Sequence, residues 1–456
     1  MNTARNTAAN NAGARAVVVG LGRSGLSAAR YLLAQGFEVA VTDSRADPPE
    51  WPRLQALARE LGRDIVVRRG GFDVSLLEGA ELLVVSPGVA PNGVFFEAAR
   101  ARGLDVVGDI ELFARAARAP VAGVTGTNGK STVTTLLADM AARAGVRTRS
   151  GGNLGEPALD LLDDSAQLYV LELSSYQLDT TNSLSLAAAA VLNVTPDHLD
   201  RYRDFDAYAA AKARIYVRCE VAVVNLDDAR VSAMIGPARR SLSFSLRADS
   251  GADYTLLQRD DGERWLARRG QALLALRAMK LTGAHNAANA LAALALGEAL
   301  SLPLTAMLDA LRSFGGLPHR SQWVADVRGV HYVDDSKGTN VGATLAAVAG
   351  MAGPLLVILG GDGKGQDFRP LRAAFADKVR VALLIGRDAG ALAQALEGAC
   401  ECRFADSLEG AVEMAAALAR PGDTVLLSPA CASLDMFRDY AHRGRVFVAA
   451  VQRLAA

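Results

Sequence analysis

Neither sign of charge prevails in this sequence. It has 49 lysine and arginine residues and 49 aspartate and glutamate residues, so its formal net charge is zero. Non-specific binding to nucleic acid depends on lysine and arginine side chains that neutralise phosphates. The charge balance therefore argues against nucleic acid as a partner.

Cysteine is scarce and shows no metal-binding or redox spacing. The four cysteines are Cys219, Cys400, Cys402 and Cys431, and only Cys400 and Cys402 are near each other. At such counts a cysteine is typically a small, buried, apolar residue in a reducing compartment.

Long apolar runs are also missing. The alanine-rich run 287–300 is interrupted by Asn289, Gly297 and Glu298, and so falls short of the ~18 apolar residues of a membrane span. The polar start of the chain lacks the apolar centre of a secretory signal. We expect a disordered leader at residues 1–14, no membrane insertion and a cytoplasmic protein.

The pattern that is present alternates strands with helices. At 456 residues the chain is too long for one ordinary core, and ~100 to 200 residues per domain suggests three. We predict an α/β protein with a Rossmann-like N-terminal domain (15–108), a central phosphate-loop domain with a parallel sheet (109–316) and a C-terminal Rossmann-like α/β domain (317–456). Nine strands are predicted individually, at 16–19, 37–42, 81–85, 167–171, 187–193, 329–333, 355–359, 381–385 and 424–427.

Residues 121–132 predict a phosphate-binding loop. A short apolar strand leads into a glycine-rich turn, and Lys130 and Ser131 open the next helix. The backbone N–H groups of such a turn bind phosphate, the lysine reaches the terminal phosphates, and the serine hydroxyl suits Mg²⁺. Val124 stands where the general pattern has its first glycine, so only the shorter core of the motif is matched. A nucleoside triphosphate site is therefore expected.

The N-terminal domain contains a second nucleotide motif. Residues 20–25 fill the G-x-G-x-x-G template, and Asp43 follows about 20 residues later, where a carboxylate can meet a ribose hydroxyl. Ser86 begins a turn at the carboxyl end of the strand at 81–85. Such an arrangement recognises a pyrophosphate, so a nucleotide-diphosphate sugar and NAD both fit it.

Polar groups also follow two strands of the central domain. Glu172 ends one strand, and an Asp-His-x-Asp cluster with His198 ends another, both on the sheet edge expected to carry the phosphate loop. Magnesium prefers oxygen ligands, so roles for His198 near a second metal and toward a substrate both stay open. Lys212 lies in a strongly helical segment, and its spacing alone predicts a solvated lysine.

The pattern restarts after residues 314–320, which predicts a domain boundary at this glycine-rich turn. Lysines and hydroxyls follow the later strands at 334–340, 360–364 and 428–433. Gathered at one sheet edge, these groups favour a small anionic substrate.

Taken together, these motifs resemble those of the Mur ligases of peptidoglycan synthesis. The matching motifs, in family order, are Gly-Thr-Asn-Gly-Lys-Ser-Thr (126–132), Glu-Leu-Ser-Ser (172–175), Asp-His-x-Asp (197–200), His-Asn-x-x-Asn (285–289), Leu-Pro-His-Arg (317–320), Asp-Ser-Lys-x-Thr-Asn (335–340), Gly-Gly-x-Gly-Lys (360–364) and Ser-Pro-x-x-x-Ser (428–433). The resemblance implies ATP-dependent amide formation through an acyl phosphate, with ATP and Mg²⁺ as cofactors. It also implies UDP-N-acetylmuramoyl-L-alanine and D-glutamate as substrates, and a monomer is expected.

The resemblance also assigns residues by matching motif. It places ATP contacts at Gly126, Thr127, Asn128, Gly129, Lys130, Ser131, Thr132, Asn286, Asn289, Arg320 and Asp335. It places UDP-substrate contacts at Gly20, Leu21, Gly22, Arg23, Ser24, Asp43, Ser44, Arg45, Ser86, Pro87, Gly88, Asn153 and Ser174. D-glutamate contacts fall at Lys337, Thr339, Lys364, Ser433 and Tyr440, and metal-binding groups at Ser131, Thr132, Glu172, His198 and Lys212. The catalytic residues would be Lys130, His198, Lys212 and Lys337.

Three details qualify the resemblance. Lys212 looks like the family's carbamoylated lysine, a change that would give Mg²⁺ an oxygen ligand. Tyr440 stands where a phenylalanine is expected, and Ser44 where a threonine is common.

Three other interpretations of the function remain open. One is a different amide ligase of the same superfamily, such as a sibling Mur ligase or a folylpolyglutamate synthase. A nicotinamide dehydrogenase would rest on residues 20–25 and Asp43 alone. A nucleotide-switched binding protein is the third, although the sequence has no Asn-Lys-x-Asp motif for guanine.

Overall fold

The computed structural model describes residues 13–198, 200–235, 240–281, 283–351 and 353–455. Residues 1–12 of the predicted leader lie outside these ranges. The described residues form a five-stranded, a nine-stranded and a six-stranded sheet in chain order, with helices on their faces. The predicted α/β class is confirmed, and all nine individually predicted strands are present with ends shifted by at most two residues.

The N-terminal sheet is entirely parallel, in the order β3-β2-β1-β4-β5. Its central strand is a run of buried alanine and valine that is covered on both faces, as a central parallel strand requires. Val19 pairs with Thr42 on one side and with Val85 on the other, so the turns after these three strands share one edge. The strands are β1 Arg15–Val19, β2 Glu38–Asp43, β3 Val66–Arg69, β4 Ala80–Val85 and β5 Asp105–Gly108.

The central sheet has the order β14-β13-β12-β11-β10-β9-β6-β8-β7. The predicted parallel arrangement holds from β6 to β12, where neighbouring strands run in the same direction. The structure adds two antiparallel strands, β13 and β14, which the sequence analysis did not include. The strands are β6 Val121–Thr125, β7 Thr148–Gly152, β8 Leu168–Glu172, β9 Leu186–Val191, β10 Cys219–Asn225, β11 Arg240–Phe244, β12 Tyr254–Gln258, β13 Arg264–Arg268 and β14 Gln271–Ala275.

The C-terminal sheet has the order β15-β16-β20-β17-β18-β19, and only β15 is antiparallel to its neighbour. The carboxyl ends of β16, β17 and β20 are adjacent, which brings together the loops predicted to carry lysines and hydroxyls. The strands are β15 Gln322–Val327, β16 Val330–Asp334, β17 Leu355–Gly360, β18 Val379–Ile385, β19 Glu401–Phe404 and β20 Thr424–Leu427.

Helices cover the sheets, and five short 3₁₀ segments lie in the connections of the described chain. The helices are α1 Arg23–Ala34, α2 Trp51–Leu61, α3 Val94–Ala101, α4 Asp109–Ala116, α5 Lys130–Arg143, α6 Ser175–Asp179, α7 Phe205–Ala213, α8 Ala229–Ser232, α9 Ala284–Ala299, α10 Leu304–Ser313, α11 Val341–Gly350, α12 Leu371–Lys378, α13 Ala389–Ala395, α14 Leu408–Leu418 and α15 Tyr440–Ala455. Among the described residues no helix has both the length and the apolar character needed to cross a membrane.

The alanine-rich segment forms α9, which packs against α5 and the central sheet. Ala290, Leu291, Ala292 and Ala293 are fully buried. Short side chains let the helix approach its neighbours closely. The run that resembled a partial membrane span is therefore the buried core helix of the central domain.

Hydrogen bonds join the domains at the active edge. Between the N-terminal and central parts, Ser27 Oγ donates to an Asp160 carboxylate oxygen at 2.7 Å, and Arg201 Nη2 donates to the Val89 carbonyl at 2.7 Å. Between the central and C-terminal parts, Lys364 Nζ donates to Asp197 Oδ1 at 2.7 Å. These contacts bring the carboxyl edges of the three sheets to a common centre.

Candidate active site

The phosphate loop lies at the carboxyl end of β6, as predicted. Helix α5 begins at Lys130, directly after Gly129, which has a φ of 84°. A Cβ atom on Gly129 would lie 2.4 Å from Asn289 Oδ1, so this position has no room for a larger residue. Lys130 Nζ donates to the carbonyls of Gly126 and Thr127, at 2.8 and 3.0 Å. The lysine thus lies folded over its own loop.

A chain of hydrogen bonds connects the start of α5 to the end of β8. Ser131 Oγ donates to Glu172 Oε2 at 2.5 Å, and Asn153 Nδ2 donates to Glu172 Oε1 at 2.6 Å. Burial alone would raise the pKa of Glu172, which is 3% exposed, but the Lys130 ammonium and these hydrogen bonds outweigh burial and hold that pKa below its usual value. Glu172 is therefore an anion in a largely dry site.

This oxygen-rich arrangement fits Mg²⁺. The Ser131 hydroxyl and the Glu172 carboxylate are adjacent, and Thr132 is buried one residue further along the helix. The described parts of the chain contain no group of three or more His, Cys, Asp and Glu side chains arranged to hold a metal by themselves. Mg²⁺ in nucleotide sites takes one or two protein ligands and completes its shell with phosphate oxygens and water.

Lys212 is buried, so the prediction of a solvated lysine from its spacing is wrong. The residue is 2% exposed and its Nζ donates to the Gly126 carbonyl at 2.9 Å. Its ammonium also lies 4.6 Å from the ring centroid of Tyr208. Burial, and next the positive charge of Lys130, lower the pKa of Lys212 well below its usual value. The reason for the error is that Lys212 lies on the one buried face of α7, together with Tyr208, Ala209 and Ala211.

His198 lies across the same space, in the loop after β9. Its backbone has a φ of 56°, and its ring packs against Tyr176 at 5.0 Å between centroids. Burial lowers the pKa of His198 to about 4, so the imidazole is neutral near pH 7. Its neighbour Asp197 binds Lys364 across the domain boundary. The sequence analysis did not assign Asp197 a role.

Three cavities meet around these groups. The first has a volume of about 560 Å³ and lies between the N-terminal and central domains. It is lined by most of the predicted UDP-substrate residues, namely Gly20, Gly22, Arg23, Ser24, Asp43, Ser44, Arg45, Ser86, Pro87, Gly88 and Asn153. Leu21 and Ser174 do not line it. Ser174 lines the central cavity instead, and Leu21 is buried beneath the turn.

Asp43 organises the glycine turn of this first cavity. Its Oδ2 accepts the Leu21 N–H at 2.6 Å, and its Oδ1 accepts the Arg45 N–H at 2.8 Å. The Arg45 guanidinium also donates to both carboxylate oxygens. Burial opposes these contacts, but together they lower the pKa of Asp43.

The second cavity has a volume of about 160 Å³ and lies between the central and C-terminal domains. We call it the nucleotide cavity because residues predicted to contact ATP line it. Its predicted lining residues are Asn128, Gly129, Thr132, Asn286, Asn289, Arg320 and Asp335. The apolar part of the wall was not predicted, and it includes Leu192, Phe244, Leu281 and Ala343. These residues come from separate elements and carry no motif.

The central cavity, of about 240 Å³, connects the other two. It shares Asn153 with the first cavity, and Asn128, Gly129, Arg320 and Lys337 with the nucleotide cavity. The remaining predicted residues that line it are Thr127, Lys130, Ser131, Glu172, Ser174, His198, Lys212, Thr339 and Lys364. Its many cationic side chains suit anionic reactants.

Two predicted D-glutamate contacts do not line this cavity. Ser433 is buried, and Tyr440 lies behind Lys337, whose ammonium is 4.0 Å from the ring centroid. Burial lowers the pKa of Lys337 to about 8. The structure thus places Tyr440 next to a cavity residue and not at the cavity surface.

Family models match all three parts of the chain. They are described as the N-terminal domain of MurD-like Mur ligases (residues 14–108), the Mur ligase middle domain (124–297) and the glutamate ligase domain of Mur ligases (319–431).

Individual proteins of the same family are similar to this chain over nearly its whole length. The UDP-N-acetylmuramoylalanine–D-glutamate ligase of Nitrosococcus oceani is 52% identical over 444 residues, which cover 97% of each chain. The protein of that name from Pseudomonas aeruginosa is 49% identical, covering 96% of this chain and 98% of its own.

Solved structures share the fold at lower identity. A pseudomurein peptide ligase type C from Methanothermus fervidus aligns with a TM-score of 0.61 and 16% identity, covering 97% of this chain and 100% of its own. The UDP-N-acetylmuramate-alanine ligase MurC from Thermotoga maritima aligns with a TM-score of 0.61 and 20% identity, covering 96% and 99%.

Proposed function

The chain belongs to the Mur ligase family, and we propose that it joins D-glutamate to UDP-N-acetylmuramoyl-L-alanine at the expense of ATP in peptidoglycan synthesis. Relatives 49–52% identical over nearly the whole chain carry this activity in their names. The observation that carries the proposal is the contact between the three cavities. A UDP-sugar in the first cavity and ATP in the nucleotide cavity would bring their reacting ends together in the central one.

The chemistry proceeds in two transfers. A carboxylate oxygen of the alanyl group attacks the γ-phosphorus of ATP, which forms an acyl phosphate and releases ADP. The amine of D-glutamate then attacks the acyl carbon, and the tetrahedral intermediate collapses with loss of inorganic phosphate and of the amine proton. A carboxylate is a poor electrophile until it is phosphorylated, so the protein's main work is positioning and charge neutralisation.

The cationic side chains around the central cavity supply that neutralisation. Lys130 is proposed to move from the loop carbonyls to the terminal phosphates, and Arg320 and Lys337 face the same space from the C-terminal domain. Ser131 or Thr132, with Glu172, is proposed to hold Mg²⁺, which when bound neutralises phosphate oxygens.

His198 and Lys212 are proposed to serve a second Mg²⁺. The lowered pKa of the buried Lys212 favours its neutral amine, which is the form that adds CO₂ to give a carbamate and a proton. A carbamate would turn this lysine into an oxygen ligand. Its position beside Gly126 and Tyr208 leaves it facing the same cavity as His198.

The amino-acid pocket is proposed to lie on the C-terminal side of the central cavity. Lys337, Thr339 and Lys364 line that side directly, while Ser433 and Tyr440 lie behind it. We further propose domain limits at 108/109 and 316/317, a monomer in the cytoplasm, and a hinge at Gly315 and Gly316. Gly316 has a φ of 90°, which supports a chain direction change there.

The test is phosphate release from ATP and Mg²⁺ with UDP-N-acetylmuramoyl-L-alanine, in parallel with D-glutamate, L-glutamate, meso-diaminopimelate and L-lysine. Release that needs both the UDP-substrate and D-glutamate supports the proposal. Release only with meso-diaminopimelate, L-lysine or L-glutamate would assign a different ligase activity. Lys130→Met should abolish release, whereas Arg143→Met, at the far end of the same helix, should not.

A further inference from the structure

Asn340 is buried where the C-terminal domain meets the phosphate loop. It is 3% exposed and directly precedes helix α11. Its Oδ1 accepts the N–H of Ala343 at 2.8 Å, so the residue caps that helix. It also lies next to Thr339 and three residues after Lys337, both of which line the central cavity.

The side chain of Asn340 also reaches two loops of the central domain. Its Nδ2 donates to Asn128 Oδ1 at 3.2 Å and to Asp197 Oδ2 at 3.2 Å. Asn128 Nδ2 donates back to Asn340 Oδ1 at 3.4 Å. Asn128 belongs to the phosphate loop, and Asp197 precedes His198. One amide therefore touches both loops that surround the reacting groups.

Asp197 extends the same contact to a second C-terminal loop. It is 5% exposed, and its Oδ1 accepts Lys364 Nζ at 2.7 Å. The carboxylate therefore binds donors from two loops of the C-terminal domain, one on each oxygen. Because both hydrogen bonds end on the Asp197 carboxylate, together they fix the orientation of the two C-terminal loops better than either bond alone.

The backbone around Asn340 is seated closely against the same loops. A Cβ on Gly342, in the first turn of α11, would lie 3.1 Å from Thr195 Oγ1 and 3.5 Å from Asn128 Nδ2. The helix start therefore meets the central domain at van der Waals distance. Small residues and complementary amides at this point define one relative position of the two surfaces.

We propose that Asn340 is a positioning residue that aligns the amino-acid pocket with the phosphate loop by joining Asn128 and Asp197. It acts through Lys337, Thr339 and Lys364, which line the central cavity. The contacts of Asn340 hold the loops of these three residues in place. A displacement of about 1 Å between reacting groups can cost two orders of magnitude in rate. The identity of the amino acid rests on the proposed function, but the contacts of Asn340 with Asn128 and Asp197 do not.

A role as a helix cap alone is the competing explanation, and Asn340→Ser separates the two. Serine caps helices about as well as asparagine, but its short side chain cannot reach Asn128 or Asp197. We expect a melting temperature close to that of the wild type. The KM for D-glutamate should rise about tenfold and kcat should fall about tenfold, since three hydrogen bonds between the domains are lost.

A swap of the two partners gives a stricter test. Asn340→Asp keeps the cap but sets two carboxylates against each other, and we expect a larger loss of kcat than for serine. Adding Asp197→Asn returns one amide and one carboxylate to the pair. We expect the double variant to recover at least part of the kcat lost in Asn340→Asp, as a double-mutant cycle detects for residues in contact.

Small-angle scattering supplies a readout that needs no turnover. With Mg²⁺ and a non-hydrolysable ATP analogue, Asn340→Ser should have a larger radius of gyration than the wild type. If the wild type releases no phosphate with D-glutamate, the proposed function fails while this comparison still tests the contacts of Asn340. Kinetics and scattering of Asn340→Ser that equal those of the wild type, or a double variant no better than Asn340→Asp, would overturn the proposal.

Discussion

Arg320 of the C-terminal domain donates a hydrogen bond from Nη2 to the hydroxyl of Ser131, at 2.6 Å. Ser131 in turn donates to Glu172, so a single line of hydrogen bonds runs from the C-terminal domain through the phosphate loop to the end of β8. The position of Arg320 is thereby linked to the group proposed to hold Mg²⁺.

Replacing this arginine with lysine should be costly even though the charge is kept. Lysine lacks the planar fork that lets arginine reach Ser131 and still face a phosphate. We expect Arg320→Lys to lower kcat/KM for ATP at least about tenfold, measured by phosphate release. Arg312→Lys changes an exposed pair with Asp309 and is the matched control, expected to have no effect.

Gly129→Ala should weaken nucleotide binding more than it weakens folding. Its added Cβ would push Asn289 Oδ1 out of the nucleotide cavity, and its φ of 84° adds about 1 kcal/mol of backbone strain. Gly262 has a φ of 80° with nothing within 4 Å, so Gly262→Ala carries the strain without the clash. A fluorescent ATP analogue should bind the Gly129→Ala protein about tenfold more weakly and the Gly262→Ala protein as it binds the wild type. Equal affinities for both would contradict the steric argument.

The aromatic ring of Tyr440, and not its hydroxyl, should determine the effect of this residue on kcat. The Lys337 ammonium lies over this ring, and a cation over a desolvated ring gains ~2 kcal/mol. We expect Tyr440→Phe to keep kcat within about twofold and Tyr440→Leu to lower it about tenfold. A phenylalanine variant as slow as the leucine variant would show instead that the hydroxyl contacts a reactant.

Asp335 should make the protein less stable as pH rises. Burial raises the pKa of its carboxyl to about 7, whereas an unfolded aspartate has a pKa of ~3.9. Between these values the unfolded chain binds fewer protons than the folded one, so the free energy of unfolding falls as pH increases through this window. Asp335→Asn removes the effect, and its stability relative to the wild type should rise by on the order of 2 kcal/mol from pH 5 to pH 8.

Urea unfolding at several pH values, without nucleotide, measures this difference. The exposed Asp367 pairs with Arg369 and serves as the control, since Asp367→Asn should show a flat difference over the same range. A flat difference for Asp335→Asn as well would mean that Asp335 is already ionised at pH 5.

Residues that follow parallel strands of one sheet were predictable as neighbours in the site. Lys130 and Ser131 follow a strand, and the carboxyl ends of parallel strands share an edge, so the phosphate loop and Glu172 could be placed together from sequence. The turn sequence Asp-Gly at 261–262 could have revealed the antiparallel hairpin of β12 and β13, because Asp-Gly favours the positive φ that Gly262 adopts there.

Contacts between distant segments had no such signal. Asp197 and Lys364 are 167 residues apart, and nothing in either motif identifies the other as its partner. The burial of Lys212 was missed for a related reason, since a helix of mostly alanine does not reveal which of its faces is packed. The apolar wall of the nucleotide cavity was missed because Leu192 and Phe244 look like any other strand residue.

The buried helix α9 has a further consequence, which concerns the substitutions that this sequence can tolerate. Asn286 and Asn289 at its start line the nucleotide cavity, while the alanines behind them are fully buried where the helix packs against α5, which carries Lys130. A single extra methylene at Ala290 or Ala293 would shift the helix and with it both asparagines. The small size of these side chains therefore preserves the shape of the nucleotide cavity, and an alanine outside that cavity becomes as hard to replace as a residue that lines it.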